Sequence, residues 1–237
     1  MKKLVLKYSI EFFVIVFSIS VSFFVENLRE KNEKDALRVL IKQSLLEELE
    51  INVPRLETTR QGLETWNKHI NYFLRHPDSL DNALITDFLK ENNYSPLNVY
   101  MTVYTPDLPN ATYNALVNDG SLNLIKDPAL KSSIEQLYNR SSSLVNSWVE
   151  EEKNVATRAE NYFVEKYPGI YLKDFWKRYY NLDLFNQAIN VMKSDNRFKA
   201  TMMQKESFML AKLRDFNLYL SQRDSLINTL KESLASK

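Results

Sequence analysis

The chain has 237 residues, 31 Lys and Arg against 30 Asp and Glu, 3 glycines and no cysteine. A near-zero net charge leaves no basic field to draw in nucleic acid, so nucleic acid is excluded as a partner. Without cysteine there are no disulfides, thiolate metal sites or thiol nucleophiles, and glycines as scattered as Gly62, Gly120 and Gly169 cannot build a phosphate-cradling loop.

From Phe12 to Val25 every residue is apolar or serine. A hydrocarbon core of about 30 Å needs about 20 helical residues, so the span reaches back through Ile10, Tyr8 and Leu6 to Leu4. Lys7 and Glu11 then lie one turn apart on one face. Glu11 reads either as an interfacial carboxylate paired with Lys7 or as an intramembrane contact to a partner helix. Ser18, Ser20 and Ser22 can return their hydroxyls to carbonyls of the preceding turn. Met1-Lys2-Lys3 also opens signal peptides, but the run ends in Phe23-Phe24-Val25-Glu26 with no small residues at cleavage spacing, which favours an uncleaved anchor. Lysines at 2, 3 and 7 nearly balance Arg29, Lys31, Lys34 and Arg38 across the span. The short lysine tail favours a cytoplasmic N-terminus with the body outside. The expected layout is a tail and transmembrane anchor over 1–27 and a soluble helical domain over 28–237.

Leu37, Ile41, Leu45, Leu49 and Leu56 recur at helical spacing, so one helix leaves the bilayer and gains an apolar stripe before Pro54 ends or kinks it near Asn52. A second helix is expected over Glu57 to His76 and a third over Ser79 to Glu91. Asn92 to Asn110, with Pro96, Pro106 and Pro109 around Val99-Tyr100-Met101-Thr102-Val103-Tyr104, reads as a long ordered crossing or as one strand. Ala111 to Asp119 is a short helix stopped by Gly120. Asp127 caps and Pro128 opens a long helix whose stripe is Leu130, Ile134, Leu137, Leu144, Trp148, Val155 and Tyr162, ending at Pro168-Gly169. Tyr171 to Lys193 holds one or two shorter helices. Last, Leu213, Leu220, Ile227 and Leu234 recur every seven residues beside Met202, Met209, Phe216 and Leu230, with Arg223 as the polar break. That seam predicts a long helix packing on the chain's own body or on a second copy, so Met209, Leu213, Phe216, Leu220 and Arg223 are the candidate interaction seam. The fold class is all-α: a transmembrane helix continuing into a helical bundle with long coiled-coil-like helices.

Several stretches together carry a resemblance. They are Glu11 with the apolar run and its exit Glu26-Asn27-Leu28-Arg29-Glu30, then Leu45-Leu46-Glu47-Glu48-Leu49-Glu50-Ile51-Asn52, then Thr112-Tyr113-Asn114-Ala115-Leu116 through Gly120-Ser121-Leu122-Asn123-Leu124-Ile125-Lys126-Asp127, with Leu130, Ile134 and Tyr138 following. The whole resembles a family of uncharacterised single-span bacterial membrane proteins, a domain of unknown function with a Glu-led span and a Tyr-x-x-Leu-x-x-x-Gly-x-Leu-x-Leu-Ile turn. This chain has Leu28 where that family often has Trp. The resemblance implies the layout and a bacterial inner-membrane location, and implies no activity.

Candidate chemistry is sparse. His69 and His76 are two helical turns apart, too far to share a metal. Glu150-Glu151-Glu152 diverge around a helix axis and read as a solvated face. No cofactor is expected. The reading is a non-enzymatic interaction or scaffold component whose partners are the lipid bilayer and another protein or a second copy. The alternative is an extracytoplasmic ligand-sensing module that signals through a separate partner. An enzyme acting through carboxylates such as Glu47, Glu48, Glu64 or Asp119 is the third.

Overall fold

The computed structural model describes the backbone of residues 2–75, 91, 101–177 and 182–236, with side chains from residue 12 on except at 69, 72–75, 173–177, 182, 185, 189 and 192. It is all-α, with no strand among the described residues. The first helix, α1 (Lys2–Ile51), runs unbroken through the expected boundary at 27 and 28 and is roughly 75 Å long. No glycine or proline interrupts it.

Its two halves meet different surroundings. Phe12 to Val25 are all exposed, Phe13 at 69% and Phe17 at 70%, whereas Ile41, Leu45 and Leu49 are buried in the bundle. This helix is long and apolar enough to cross a membrane. Within the apolar run the hydroxyls of Ser18, Ser20 and Ser22 donate to the carbonyls of Val14, Val16 and Ser18, so no hydroxyl there is left for lipid to satisfy. Mixed charges then stabilise the exit through pairs one turn apart, Glu26 with Arg29 and Glu30 with Lys34.

A single turn at Asn52 separates α1 from α2 (Val53–Arg75). Pro54 sits in the first turn of α2, where its missing N–H is no loss, so α2 opens earlier than the expected Glu57. The helix expected over Ser79 to Glu91 falls outside the described residues except for Glu91, and so does 92–100 of the proline-rich stretch. Residues 102–110 form an extended crossing, with Pro106, Leu108 and Pro109 buried. The short α3 (Ala111–Asn118) stops at Gly120, whose φ of +76° is the left-handed conformation that glycine adopts without strain. A 3-10 turn follows over Ser121–Leu124.

Asp127 caps α4 (Pro128–Glu135) by accepting from the amides of Ala129 and Leu130. The expected long helix then departs from plan. Gln136–Ser141 is a π-helical segment, after which α5 (Ser142–Lys166) resumes. The π segment inserts one residue into the turn, and the buried face moves by one position. Of the expected stripe on this helix Val155 is buried, but Val145, Val149, Glu152, Ala156, Ala159 and Phe163 are buried with it, while Trp148 and Tyr162 are half-buried and Leu144 is 40% exposed. Glu152, expected on a solvated face, is carried into the core by the same shift.

Two shorter helices, α6 (Pro168–Lys177) and α7 (Leu182–Ser194), lead into α8 (Asn196–Ala235), a 40-residue helix roughly 60 Å long capped by Asp195. It packs chiefly on α5, and also on α2 and α1. Its buried residues include Met202, Lys205, Met209, Lys212, Phe216, Tyr219, Arg223, Leu226 and Leu230, spaced alternately by three and four. Leu220 and Ile227 flank this line and are buried, while Leu213 and Leu234 are only half-buried.

Candidate functional site

Two clusters of polar side chains stand out, one fully buried and one partly exposed. The first lies between α5 and α8. Lys205 and Lys212, two turns apart on α8, each reach the extended crossing: Lys205 Nζ donates to the Thr102 carbonyl and Lys212 Nζ to the Tyr104 carbonyl, both at 2.7 Å. Lys212 also forms an ion pair with Glu152 Oε2, and Lys205 Nζ stands 4.0 Å from Glu152 Oε1. All three residues are fully buried, with 0% exposure.

The logic is that of an unpaired backbone. An extended segment laid on helices offers carbonyls with no ladder to satisfy them, and a buried orphan carbonyl is costly. The two ammonium groups supply the missing donors, and Glu152 offsets part of their charge. Burial pushes Lys205 down to about 8; the Glu152 carboxylate opposes the shift and the Lys212 charge adds to it. Burial likewise lowers Lys212, against the Glu152 carboxylate and its hydrogen bond. On the facing helix α2, Gly62 makes room for the crossing, since a Cβ there would lie 2.9 Å from the Tyr104 hydroxyl oxygen.

The second cluster ties α1 to α3 and the π segment. Glu48 Oε1 accepts from the Tyr138 hydroxyl at 3.0 Å, and Glu48 Oε2 accepts from the Thr112 amide at 2.6 Å, serving as a cap for α3. The Tyr113 and Tyr138 rings stack at 4.7 Å, and Asn139 Nδ2 donates to the Tyr113 hydroxyl at 2.7 Å. The extra residue of the π segment therefore belongs to the turn that aims Tyr138 at Glu48. Burial, then the Glu48 charge, raises the Tyr138 phenol. Tyr219 is buried on α8 with its hydroxyl lacking a hydrogen-bond partner among the described residues; burial raises its phenol too, with the Arg223 charge opposing.

A third node is structural. Asp195 accepts from Tyr162, Lys166 and Tyr167 at 2.8, 2.9 and 2.6 Å, and from the amides of Arg197 and Phe198. Burial works against its ionisation, but the bonds from Tyr167, Lys166, Phe198 and Tyr162 hold the carboxyl well below the usual range.

The candidate seam is placed inside the chain. Met209, Phe216, Leu220 and Arg223 are buried by the protein's own helices and Leu213 is half-buried, so this line is covered intramolecularly and is not open to a partner. Arg223 Nε and Nη2 donate to Asp224, and its Nη1 has no hydrogen-bond partner among the described residues. The side chains of Lys7 and Glu11 lie outside the described residues. Of the suggested catalytic carboxylates, Glu48 belongs to the tyrosine cluster, Glu64 pairs with Arg60, Asp119 accepts from the Ser121 amide and Glu47 is exposed; none is bonded to another. Sequence reasoning passed over Lys205 and Lys212, and named Tyr138 only among the residues that carry the family resemblance. The available signal was register, because Lys205 and Lys212 continue the line of Met202, Met209 and Phe216.

Lys205, Lys212 and Glu152 of the first cluster are fully buried, whereas Glu48 of the second is half-buried and Asn139 is exposed. What the two clusters do chemically is hold segments distant in sequence together. The chain matches no protein-family model, no curated protein and no solved structure.

Proposed function

We propose that this protein is a single-span, membrane-anchored helical bundle that acts as a non-enzymatic interaction or scaffold component at a bacterial inner membrane, its N-terminus cytoplasmic and its body periplasmic. One observation carries the reading: a single helix is apolar and bare over Phe12 to Val25 and built into the core from Ile41 to Leu49. A fully exposed apolar run of that length is costly in water at roughly 25 cal/mol per Å² and favourable in lipid. The family resemblance points the same way.

The partner surface lies off the buried seam. Leu37, Leu40 and Ile51 on α1 and Met203, Leu210 and Leu218 on α8 are exposed apolar side chains of the body. Crosslinking in native membranes, followed by mass spectrometry and by sizing of the detergent-solubilised protein, tests this. A stable assembly through these faces supports the reading; a strictly monomeric protein with no crosslinked neighbour counts against it.

A second reading, a ligand-sensing module acting through a separate partner, draws on the Glu48 cluster. A ligand that moved α3 would pull directly on α1 and hence on the span. A metabolite that raises the melting temperature favours it.

A further inference from the structure

A cleft opens where α1 leaves its apolar stretch. It has a volume of about 300 Å³ and is lined by Asn27, Glu30, Lys31, Lys34 and Arg38 of α1 and by Lys126, which follows the 3-10 turn. The α1 residues fall at spacings of three and four, so they form one stripe running from the apolar stretch toward the body. Arg38 fixes the far side, its Nε donating to the Leu124 carbonyl at 2.9 Å, which holds the turn bearing Lys126 against α1.

The charges in the cleft are unequally committed. Lys34 is paired with Glu30 at 2.5 Å, and Arg38 is paired with Asp35. Lys31 and Lys126 enter no ion pair or hydrogen bond among the described residues. Two uncommitted ammonium groups on separate elements, with the Lys34 and Arg38 cations beside them, therefore face one concavity whose lining carries a single carboxylate, Glu30, already neutralised.

We propose that this cleft binds the phosphate headgroup of an anionic phospholipid, an inference that rests on α1 spanning a bilayer. Position along the helix favours lipid as the source of the phosphate. Lys31 lies roughly 9 Å beyond Val25 and Lys34 roughly 14 Å. The headgroup layer is roughly 5–8 Å deep, and helical side chains lean toward the helix N-terminus, which here is the lipid side. A span tilt of roughly 20° toward this face, ordinary for single helices, lowers Lys126 toward the same layer. Glycerol hydroxyls of the headgroup would meet Asn27.

Full-length protein in an uncharged detergent, probed by native mass spectrometry with phosphatidylglycerol, phosphatidylcholine and inorganic phosphate, tests the assignment. Phosphatidylglycerol is retained in preference to phosphatidylcholine, and Lys31→Gln with Lys126→Gln reduces that preference about 25-fold, at about fivefold per basic residue. Lys68→Gln with Lys153→Gln, equal in charge and away from the cleft, leaves it unchanged. Equal retention of the two lipids, or a preference that survives the Lys31 and Lys126 changes, overturns the proposal. Displacement of phosphatidylglycerol by inorganic phosphate overturns the lipid assignment in favour of a soluble phosphate. Failure of the span reading is separable, because it appears as release of the chain from membranes without detergent while selectivity in micelles persists.

Discussion

The Tyr138 hydroxyl donates to Glu48 Oε1 at 3.0 Å, joining the π segment to α1 across 90 positions of sequence. Glu48 is the shared acceptor for a helix cap and a phenol, while the Tyr219 hydroxyl on α8 is buried and unbonded among the described residues.

Substitutions around Glu48 should therefore differ in sign. Glu48→Ala orphans the Thr112 amide and the Tyr138 hydroxyl and should cost about 2–4 kcal/mol, Tyr138→Phe about 1–2 kcal/mol, and Tyr219→Phe nothing, or a gain of up to about 1 kcal/mol. Reversible denaturation of the full chain in detergent, followed by ellipticity, ranks the three. Tyr219→Phe proving as harmful as Tyr138→Phe would contradict the assigned bonding.

The buried lysines are not equivalent. Lys212→Met leaves Glu152 with only Lys205 at 4.0 Å and should cost about 3–5 kcal/mol, as breaking a buried pair does. Lys205→Met leaves the Lys212–Glu152 pair intact but orphans the Thr102 carbonyl, so it should cost less, about 1–3 kcal/mol. The same denaturation measurement decides, and equal losses for the two would contradict this division.

Stability should climb on the alkaline side. Lys205 binds its proton less tightly folded than unfolded, so between about 8 and the ordinary lysine value the unfolded chain holds more protons and stability rises with pH; Lys212 acts in the same direction. Tyr138 and Tyr219 are raised when folded, so above their ordinary value near 10 they reverse the trend. Melting temperatures from pH 7 to 11 should pass through a maximum near pH 10, and Lys205→Met should flatten the rising limb. A monotonic fall from pH 8 would contradict the lysine assignment.

Gly62 and Tyr104 should be coupled. Gly62→Ala gains about 1 kcal/mol of helix propensity but drives a methyl group against the Tyr104 hydroxyl, so alone it should bring no gain. In a Tyr104→Phe background the oxygen at 2.9 Å is gone while the ring carbon Cζ at 3.1 Å stays, so part of the gain should appear. Additive single and double changes in a mutant cycle would show that the two residues do not meet.

The elements set by local rules were legible in the sequence. Asp127-Pro128 as a cap and opening, Gly120 as a left-handed stop, Pro54 at a helix boundary and α8 as a long helix depend on neighbours a few residues away. What was not legible depends on the third dimension. No local signal marks Gln136–Ser141 as π-helical, because the inserted residue is stabilised by Tyr138 reaching Glu48 and by Tyr113 stacking on it. The displaced stripe on α5 follows from that one residue. Lys205 and Lys212 went unmarked because their partners are main-chain carbonyls of a crossing whose course the sequence leaves open.

The most direct measurement uses the absence of cysteine from the chain. Single replacements Val16→Cys, Ser18→Cys, Leu40→Cys and Lys153→Cys, made in the full-length protein and exposed in native membranes to a water-soluble maleimide, report burial in lipid without background. An anchored bundle leaves positions 16 and 18 unmodified while 40 and 153 react readily. Labelling of 16 and 18 at the rate of 40 would contradict a membrane-embedded α1, and with it the anchored scaffold.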